Sequence, residues 1–350
     1  LARNLHIECA STPCETVDII YDAATLARGK EAIARMQETM GPGDPAAMYT
    51  VLTADEARTR FHTPDALGAF VYEGGSVNAY AFTIGLLKHT LKHGMNLQTN
   101  TPVQAIAPVD DFDHESPRWT AVTCRGVVET AHLIVATNGY TAHLLPQMQG
   151  VIVPLRGQVT AQRPGSKLPG LHTTYSFIYA QGYEYMISRP PGTPDAGTIV
   201  IGGGLGRLPN ASEYGNTRDG ELNRDISTYL YQSTAHYFGD NWGDDHVEKG
   251  RTIKEWSGVM GTSADGLPYV GAMPEMPGVF ICASFNGHGM VMCLKCGEAL
   301  VHAMLGHGKY EDSFPRALVV SAERFKTKFQ GRLDMRVPGE ALFDDRMERL

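Results

Sequence analysis

The chain has 350 residues, room for one large or two ordinary domains. Apolar residues make up 43% and charged residues 19%, which excludes a disordered chain and indicates a sizeable core. The net charge of −8 argues against a nucleic-acid partner, and no apolar run reaches the roughly 18 residues of a membrane span.

Taken in order, CETVDIIY (14–21) alternates like a strand, and DAATLARGKEAIARMQETMG (22–41), with an Asp cap and a closing Gly, predicts a helix. A short capped helix follows at TADEARTRF (53–61), a strand at GAFVYEGG (68–75) and a long helix at NAYAFTIGLLKHTLKHG (78–94). NLQT (96–99) and TPVQAIAPV (101–109) read as strands ahead of the polar loop DDFDHESP (110–117). WTAVTCRG, VVETA and HLIVATNG then continue as strands to Gly139. VIVPLRGQVTAQ (151–162), TTYSFIYA (173–180), YEYMISRP (183–190) and GTIVIGGG (197–204) form a β-prone block. An amphipathic helix spans 219–239, strands follow at 247–261, LPYVG (267–271) and GVFICAS (278–284), and a helix spans 287–306. The tail from about 310 reads as irregular.

Strands and helices interleave over 68–150 and 258–306, and the β-rich block lies between them, so the fold class is α/β plus α+β in two intertwined units. The expected boundaries are 68–150 with 258–306 for the first unit, 1–67 with 151–257 for the second, and 307–350 as a peripheral tail. Cys293 and Cys296 form a CxxC with no second pair at zinc spacing, so no metal site is expected. The six cysteines read as reduced thiols, which suits a reducing, cytoplasmic compartment. The chain opens on Leu1, a first hint of a missing N-terminal piece.

Three glycine-containing stretches bear on chemistry. In TIVIGGGLGRLPN (198–210), glycines follow a strand as they would in a phosphate-binding loop. Pro209 blocks the helix such a loop must run into, so a strand end or bulge is expected. In HLIVATNGY (132–140), a buried strand ends in small residues, where a bulky ligand can approach the backbone; Asn138-Gly139 alone would signal only a turn. In EWSGVMGTSADGLPYVGAMPEMPGVFICASFNGHGM (255–290), Trp256 and Met260 stand near glycines as the wall of a flat ligand would. The run ends in a Gly-His-Gly turn before a helix, where bare N–H groups face something electron-rich.

With TPVQAI (101–106), LIVATNGY (133–140), VPLRGQV (153–159), GTIVIGG (197–203), WSGVMGTSADGLPYVG (256–271) and FNGHGM (285–290) in that order, the chain resembles the FAD-dependent amine and amino-acid oxidoreductases of the D-amino-acid oxidase, glycine oxidase and sarcosine oxidase (DAO) family, close to the γ-glutamylputrescine oxidoreductase branch. The resemblance covers about residues 1–306. It implies a discontinuous, Rossmann-like FAD-binding domain intertwined with a β-rich substrate domain. It places Val103 at the adenine end of FAD and Ala136, Thr137, Asn138 and Gly139 along the diphosphate and ribityl side. Asp265 and Gly266 lie in the segment returning to the flavin, and Gly287, His288, Gly289 and Met290 present N–H groups to the pyrimidine edge of the ring. The His288 imidazole needs only a packing role. Tyr183, Tyr185, Trp256 and Met260 are the expected substrate-pocket walls, and ordinary core packing is the competing reading of the aromatics. The implied reaction is oxidation of a C–N bond by hydride transfer to flavin N5, with a small-molecule amine as partner; oxidase and dehydrogenase both fit.

Three departures qualify this. The family opens with a βαβ unit bearing the glycine fingerprint for the ADP pyrophosphate, and this chain does not, so an N-terminally shortened chain is expected. A non-catalytic or cofactor-free binding protein derived from the same fold is the alternative. Met260 stands where amino-acid oxidases of the family place a substrate-binding arginine, leaving Arg156 and Arg189 as substitutes or an amine without an α-carboxylate as substrate. Gly258 and Val200 stand where sarcosine oxidases carry the flavin-linking cysteine and the lysine used for oxygen, which implies non-covalent FAD.

Overall fold

The computed structural model describes residues 1–109, 119–180, 182–205, 213–306 and 308–330. In chain order these form β1 (Thr12–Ile20), α1 (Ala23–Met40), β2 (Thr50–Leu52), α2 (Ala54–Phe61), β3 (Gly68–Ser76), α3 (Ala79–Lys92), β4 (Val103–Pro108), β5 (Trp119–Thr123), β6 (Gly126–Thr130) and β7 (Leu133–Val135). The short α4 (Thr141–Leu144) follows, then β8 (Ile152–Gln162), β9 (Thr174–Tyr179), β10 (Gly182–Ser188), β11 (Ile199–Gly202), α5 (Arg224–Phe238), β12 (Thr252–Ser263), β13 (Tyr269–Ala272), β14 (Val279–Ala283) and α6 (Gly289–Leu305).

Local chemistry sets the helix ends. Asp22 accepts the Thr25 N–H at 2.8 Å to start α1, which stops at Gly41 with φ +88. Thr53 and Glu56 form a reciprocal capping box on α2. The helix expected from 219 begins only at Arg224, capped by Asn223. The preceding residues wrap around Arg156, whose Nη1 donates to the carbonyls of Arg218 and Glu221, so their backbone is committed elsewhere. The strand expected at NLQT is absent. Gln98 there hydrogen-bonds to Asn96 and accepts from Arg125, so side chains rather than a ladder hold the segment.

An eight-stranded sheet, ordered β12-β8-β11-β10-β9-β1-β3-β2, dominates the molecule. All its pairings are antiparallel except β1 with β9. One face is closed by α5, whose Ile226, Leu230, Tyr237 and Phe238 meet Val17, Ile19, Phe177, Met186, Ile199 and Ile201 in the main core. Full burial of each large apolar side chain contributes about 1.5–3 kcal/mol. Phe177 also stacks on Tyr237 at 4.0 Å. The opposite face is covered at one end by α1, through Ile33 against Ile20 and Phe70.

Two three-stranded sheets complete the fold: β13-β14-β7 and β4-β5-β6. In the first, β7 runs parallel to β14 and α6 packs alongside through Cys296 and Leu300 on Val270. Gly68–Ser76 and the 258–263 end of β12 lie in the eight-stranded sheet, because β3 pairs along its whole length with β1 and β12 pairs with β8 through Ser263↔Ile152. The first thus hydrogen-bonds with strands of 1–67 and the second with a strand of the β-rich block. No helix among the described residues is long and apolar enough to cross a membrane. No cluster of metal-ligating side chains occurs among them, and the cysteines are free, with Cys296 buried and Cys293 exposed.

Candidate active site

Because β7 and β14 run parallel, they end on the same side, at Val135 and Ala283. Ligands of α/β folds gather at such carboxyl ends. Ala136–Gly139 crosses there, and Asn138 adopts φ +45. Its Oδ1 accepts the backbone N–H of Ser284 at 2.9 Å and that of Phe285 at 3.4 Å. Asn286 in turn donates its N–H to the Gly261 carbonyl at 3.0 Å, and its Oδ1 accepts from the Ser263 N–H at 2.8 Å. Three segments, 136–139, 260–263 and 284–287, are thus tied into one knot. Gly139 and Gly261 permit it: a Cβ on Gly139 would collide with the Met260 carbonyl, and one on Gly261 would lie 2.7 Å from Asn138 Oδ1. The sequence reading missed Gly261, Ser263, Ser284 and Asn286; the Asn at the head of FNGHGM was the available signal.

Beyond the knot, Gly287 has φ +82, and the His288 N–H bonds back to the Phe285 carbonyl at 2.8 Å. His288 Nδ1 lies 2.9 Å from the Asn286 carbonyl. A carbonyl can only accept, so Nδ1 carries the proton and the ring braces the turn. Helix α6 then begins at Gly289 without a side-chain cap and without an acidic residue in its first turn. Its positive end is left for an outside acceptor. Met290 is exposed, and the Ser284 hydroxyl is buried with no hydrogen-bond partner. Bare N–H groups, an orphaned hydroxyl and glycines at the closest approaches fit a flat, electron-rich ring edge at this turn.

The four expected wall residues share the sheet face opposite α5. Register aligns Trp256 with Val159, Val159 with Gly202 and Gly202 with Tyr185 in one row. Met260 pairs with Leu155, and Tyr183 with Ile178, on the same face. Gly157, Gly202 and Gly258 leave a floor with few side chains. The Tyr185 ring leans over Gly202, and the Met260 methyl covers Gly157. The Tyr183 hydroxyl lies 3.7 Å from the point where a Cβ on Gly287 would stand, so this wall meets the turn directly. Tyr183, Tyr185 and Trp256 are 52%, 41% and 40% exposed, which rules out plain core packing. Desolvation raises both phenols, Tyr185 to about 12, so both stay protonated at neutral pH.

Other expected residues stand elsewhere. Arg156 is buried in a bidentate pair with Glu213, Nε–Oε2 2.5 Å and Nη2–Oε1 3.0 Å, and cannot serve as a substrate clamp. Burial opposes the Glu213 charge, but Arg156 and the amides of Asn223 and Asn216 outweigh it and lower the carboxyl. Arg189 pairs with Asp195 in the turn after β10, beyond the far end of the strand from Tyr183. Asp265 is held by Arg324 at 2.8 Å, and Gly266 (φ +75) completes its turn. Burial works against the Asp265 charge, yet Arg324 and the Leu267 N–H bring the carboxyl below its usual value. Val103 opens β4 in a separate sheet, three residues before Ile106, which packs on the same cluster as Val135. Gly258 has open space around it, and Val200 pairs with Ala161 on the wall face. Gly202–Gly204 follow a strand paired antiparallel on both sides, so no βαβ turn forms around β11. Gly206 and the Arg207–Asn210 continuation lie outside the described residues, as do the expected 110–117 loop and 331–350.

A glycine oxidase from Geobacillus kaustophilus (strain HTA426) is 24% identical over 255 residues, covering 72% of this chain and 60% of that protein. The chain thus spans less than two thirds of that relative's length. A crystal structure of glycine oxidase from Geobacillus kaustophilus superposes with TM-score 0.72 at 19% identity, over 92% of this chain and 79% of that one. Iminodiacetate oxidase from Chelativorans sp. BNC1 superposes with TM-score 0.66 at 17% identity, over 89% and 78% of the two chains. These structural likenesses concern the fold. The family model for FAD dependent oxidoreductases (DAO) matches residues 1–303, and the chain belongs to that family.

Proposed function

We propose that this chain is an FAD-dependent oxidoreductase that oxidises a C–N bond of an amine or amino-acid-like substrate. The substrate is held between the turn at 286–290 and the wall of Tyr183, Tyr185, Trp256 and Met260. The observation that carries this reading is the Tyr183 hydroxyl beside Gly287, which sets an aromatic, half-open face against a turn rich in bare N–H groups.

FAD, when bound, supplies the acceptor for the hydride leaving the carbon next to nitrogen. The chain's residues do the rest. Gly287, Gly289 and Met290, backed by the positive end of α6, would stabilise negative charge on the ring edge, while His288, its N–H held by the Phe285 carbonyl, braces the turn. Ala136, Thr137, Asn138 and Gly139 line the path of the diphosphate and ribityl chain. Val103 lies toward the adenine, and Asp265 with Gly266 shapes the return segment. The aromatic wall excludes water and orients the amine. Neither phenol is a base at neutral pH, and none is required when the amine binds unprotonated. With Met260 where relatives carry an arginine and Arg156 consumed by Glu213, the wall favours an amine over an α-amino acid.

The test is anaerobic mixing of the full chain and FAD with a panel of primary and secondary amines. The expected result is bleaching of the bound flavin's visible band by at least one of them. A flavin that stays oxidised with every amine contradicts the reading, and a chain that retains no FAD returns it to the cofactor-free alternative.

A further inference from the structure

The wall continues across the sheet beyond the residues described so far. Tyr185 pairs with Ser176, and Ser176 pairs with Asp18, so the three stand in one row on the face opposite α5. Asp18 also pairs with Phe70, and the neighbouring Tyr72 reaches it with its hydroxyl at 3.4 Å. The Ser176 hydroxyl stands beside the same carboxylate and favours its charged form. Asp18, Ser176 and Tyr72 are all partly buried, and the Tyr49 ring lies tilted against that of Tyr72 with centroids 4.9 Å apart. Among the described residues, no ion pair involves Asp18. A half-buried carboxylate with two hydroxyls and no cation is an unbalanced arrangement. Burial raises the carboxyl, the hydroxyls of Ser176 and Tyr72 oppose this only in part, and an arriving ammonium would reverse it.

We infer that Asp18, with Ser176 and Tyr72, is a subsite for a second, distal ammonium group of the substrate. This rests on the amine-oxidation reading and narrows it to diamines and longer polyamines. The geometry sets the span. Tyr185 and Asp18 are two strand spacings apart, about 10 Å. The reacting end lies against Tyr183 and Gly287, next to Tyr185 on the same strand. A chain with one charged end only could reach one of these places, while an extended diamine reaches both. The face between them, Tyr185 and Ser176, is partly aromatic and suits a methylene chain.

The test is calorimetric binding of α,ω-diaminoalkanes, from butane to decane, and of the matching 1-aminoalkanes, to the full chain with FAD present. The expected result is a preference for the longer diamines over their monoamines of about tenfold or more, the scale of a charge-assisted hydrogen bond. In Asp18→Asn, which keeps the shape and removes the charge, that ratio should collapse toward one. Tyr72→Phe, which removes only a hydroxyl, should reduce it part of the way and serves if the first variant fails to fold. Equal binding of diamines and monoamines by the unaltered chain overturns the subsite while leaving amine oxidation standing. A preference that survives in both variants overturns it too. Failure of every amine to bind overturns the subsite together with the reading beneath it.

Discussion

The Asn138 side-chain oxygen accepts the backbone N–H of Ser284, 146 residues later in the chain, at 2.9 Å. This single bond joins the two carboxyl ends of β7 and β14 and brings the expected diphosphate crossing to the expected flavin turn. Replacement by Ala leaves two backbone donors without their acceptor and puts a residue less tolerant of left-handed backbone than Asn at φ +45. Asn138→Ala is expected to lower stability in urea unfolding by about 1–3 kcal/mol. Asn138→Asp, which retains the acceptor, should recover part of the loss.

Two glycines near the wall offer a paired contrast. Gly139 faces the Met260 carbonyl, which is backbone and cannot step aside, whereas Gly258 has nothing within 4 Å. Gly139→Ala should therefore depress the thermal midpoint and weaken FAD retention together. Gly258→Ala should fold normally and affect only amine binding, since its methyl stands on the open floor. Equal thermal midpoints for the two variants would contradict this.

The Arg156–Glu213 pair is the strongest electrostatic commitment beneath the site, with side chains only 7% and 4% exposed. Breaking one half leaves a buried charge alone, so Glu213→Gln should cost about 3–5 kcal/mol and loosen the 213–223 segment. The pH dependence has a definite sign. Glu213 is lowered in the folded state, so its contribution is complete above the ordinary glutamate value of about 4.3 and is lost as pH falls through the lower folded value. Asp245, where pairing with Arg251 outweighs burial, and Asp265, held by Arg324, act in the same direction. Chemical denaturation from neutral to acid pH should show falling stability, with a shallower fall in Glu213→Gln.

Helix α6 carries several exposed apolar side chains. On α6, Met290, Val291, Leu294, Val301 and Leu305 are exposed, as is Ile134 on β7, which is an edge strand of its sheet. The chain by itself is expected to self-associate or to require a partner. Sedimentation velocity should show this, and Val291→Lys with Leu305→Lys should raise the monomer fraction. A monodisperse, cooperatively unfolding monomer without these changes would contradict the expectation.

Much of this was readable in the sequence. Asp22, Thr53 and the alternation of 174–179 announced their elements because caps and period-two burial are local signals. FNGHGM announced a turn ahead of a helix. The start of α5 was misread because Arg156, distant in sequence, claims the carbonyls of 218 and 221. Arg156 itself looked available for substrate because nothing local reveals Glu213 as its partner. Asp18 went unnoticed because its meaning depends on register across β1, β9 and β10, which no short window contains.

The most direct measurement is FAD retention by the full chain through gel filtration, compared with Gly287→Val. Gly287 has φ +82, where valine is strained, and it stands at the meeting point of turn and wall. The expected result is a yellow chain with quenched flavin fluorescence, and at least about tenfold weaker binding in a variant whose thermal midpoint shows it folded. A colourless chain, or a folded variant that binds FAD as well as the original, would contradict a flavin site at 286–290.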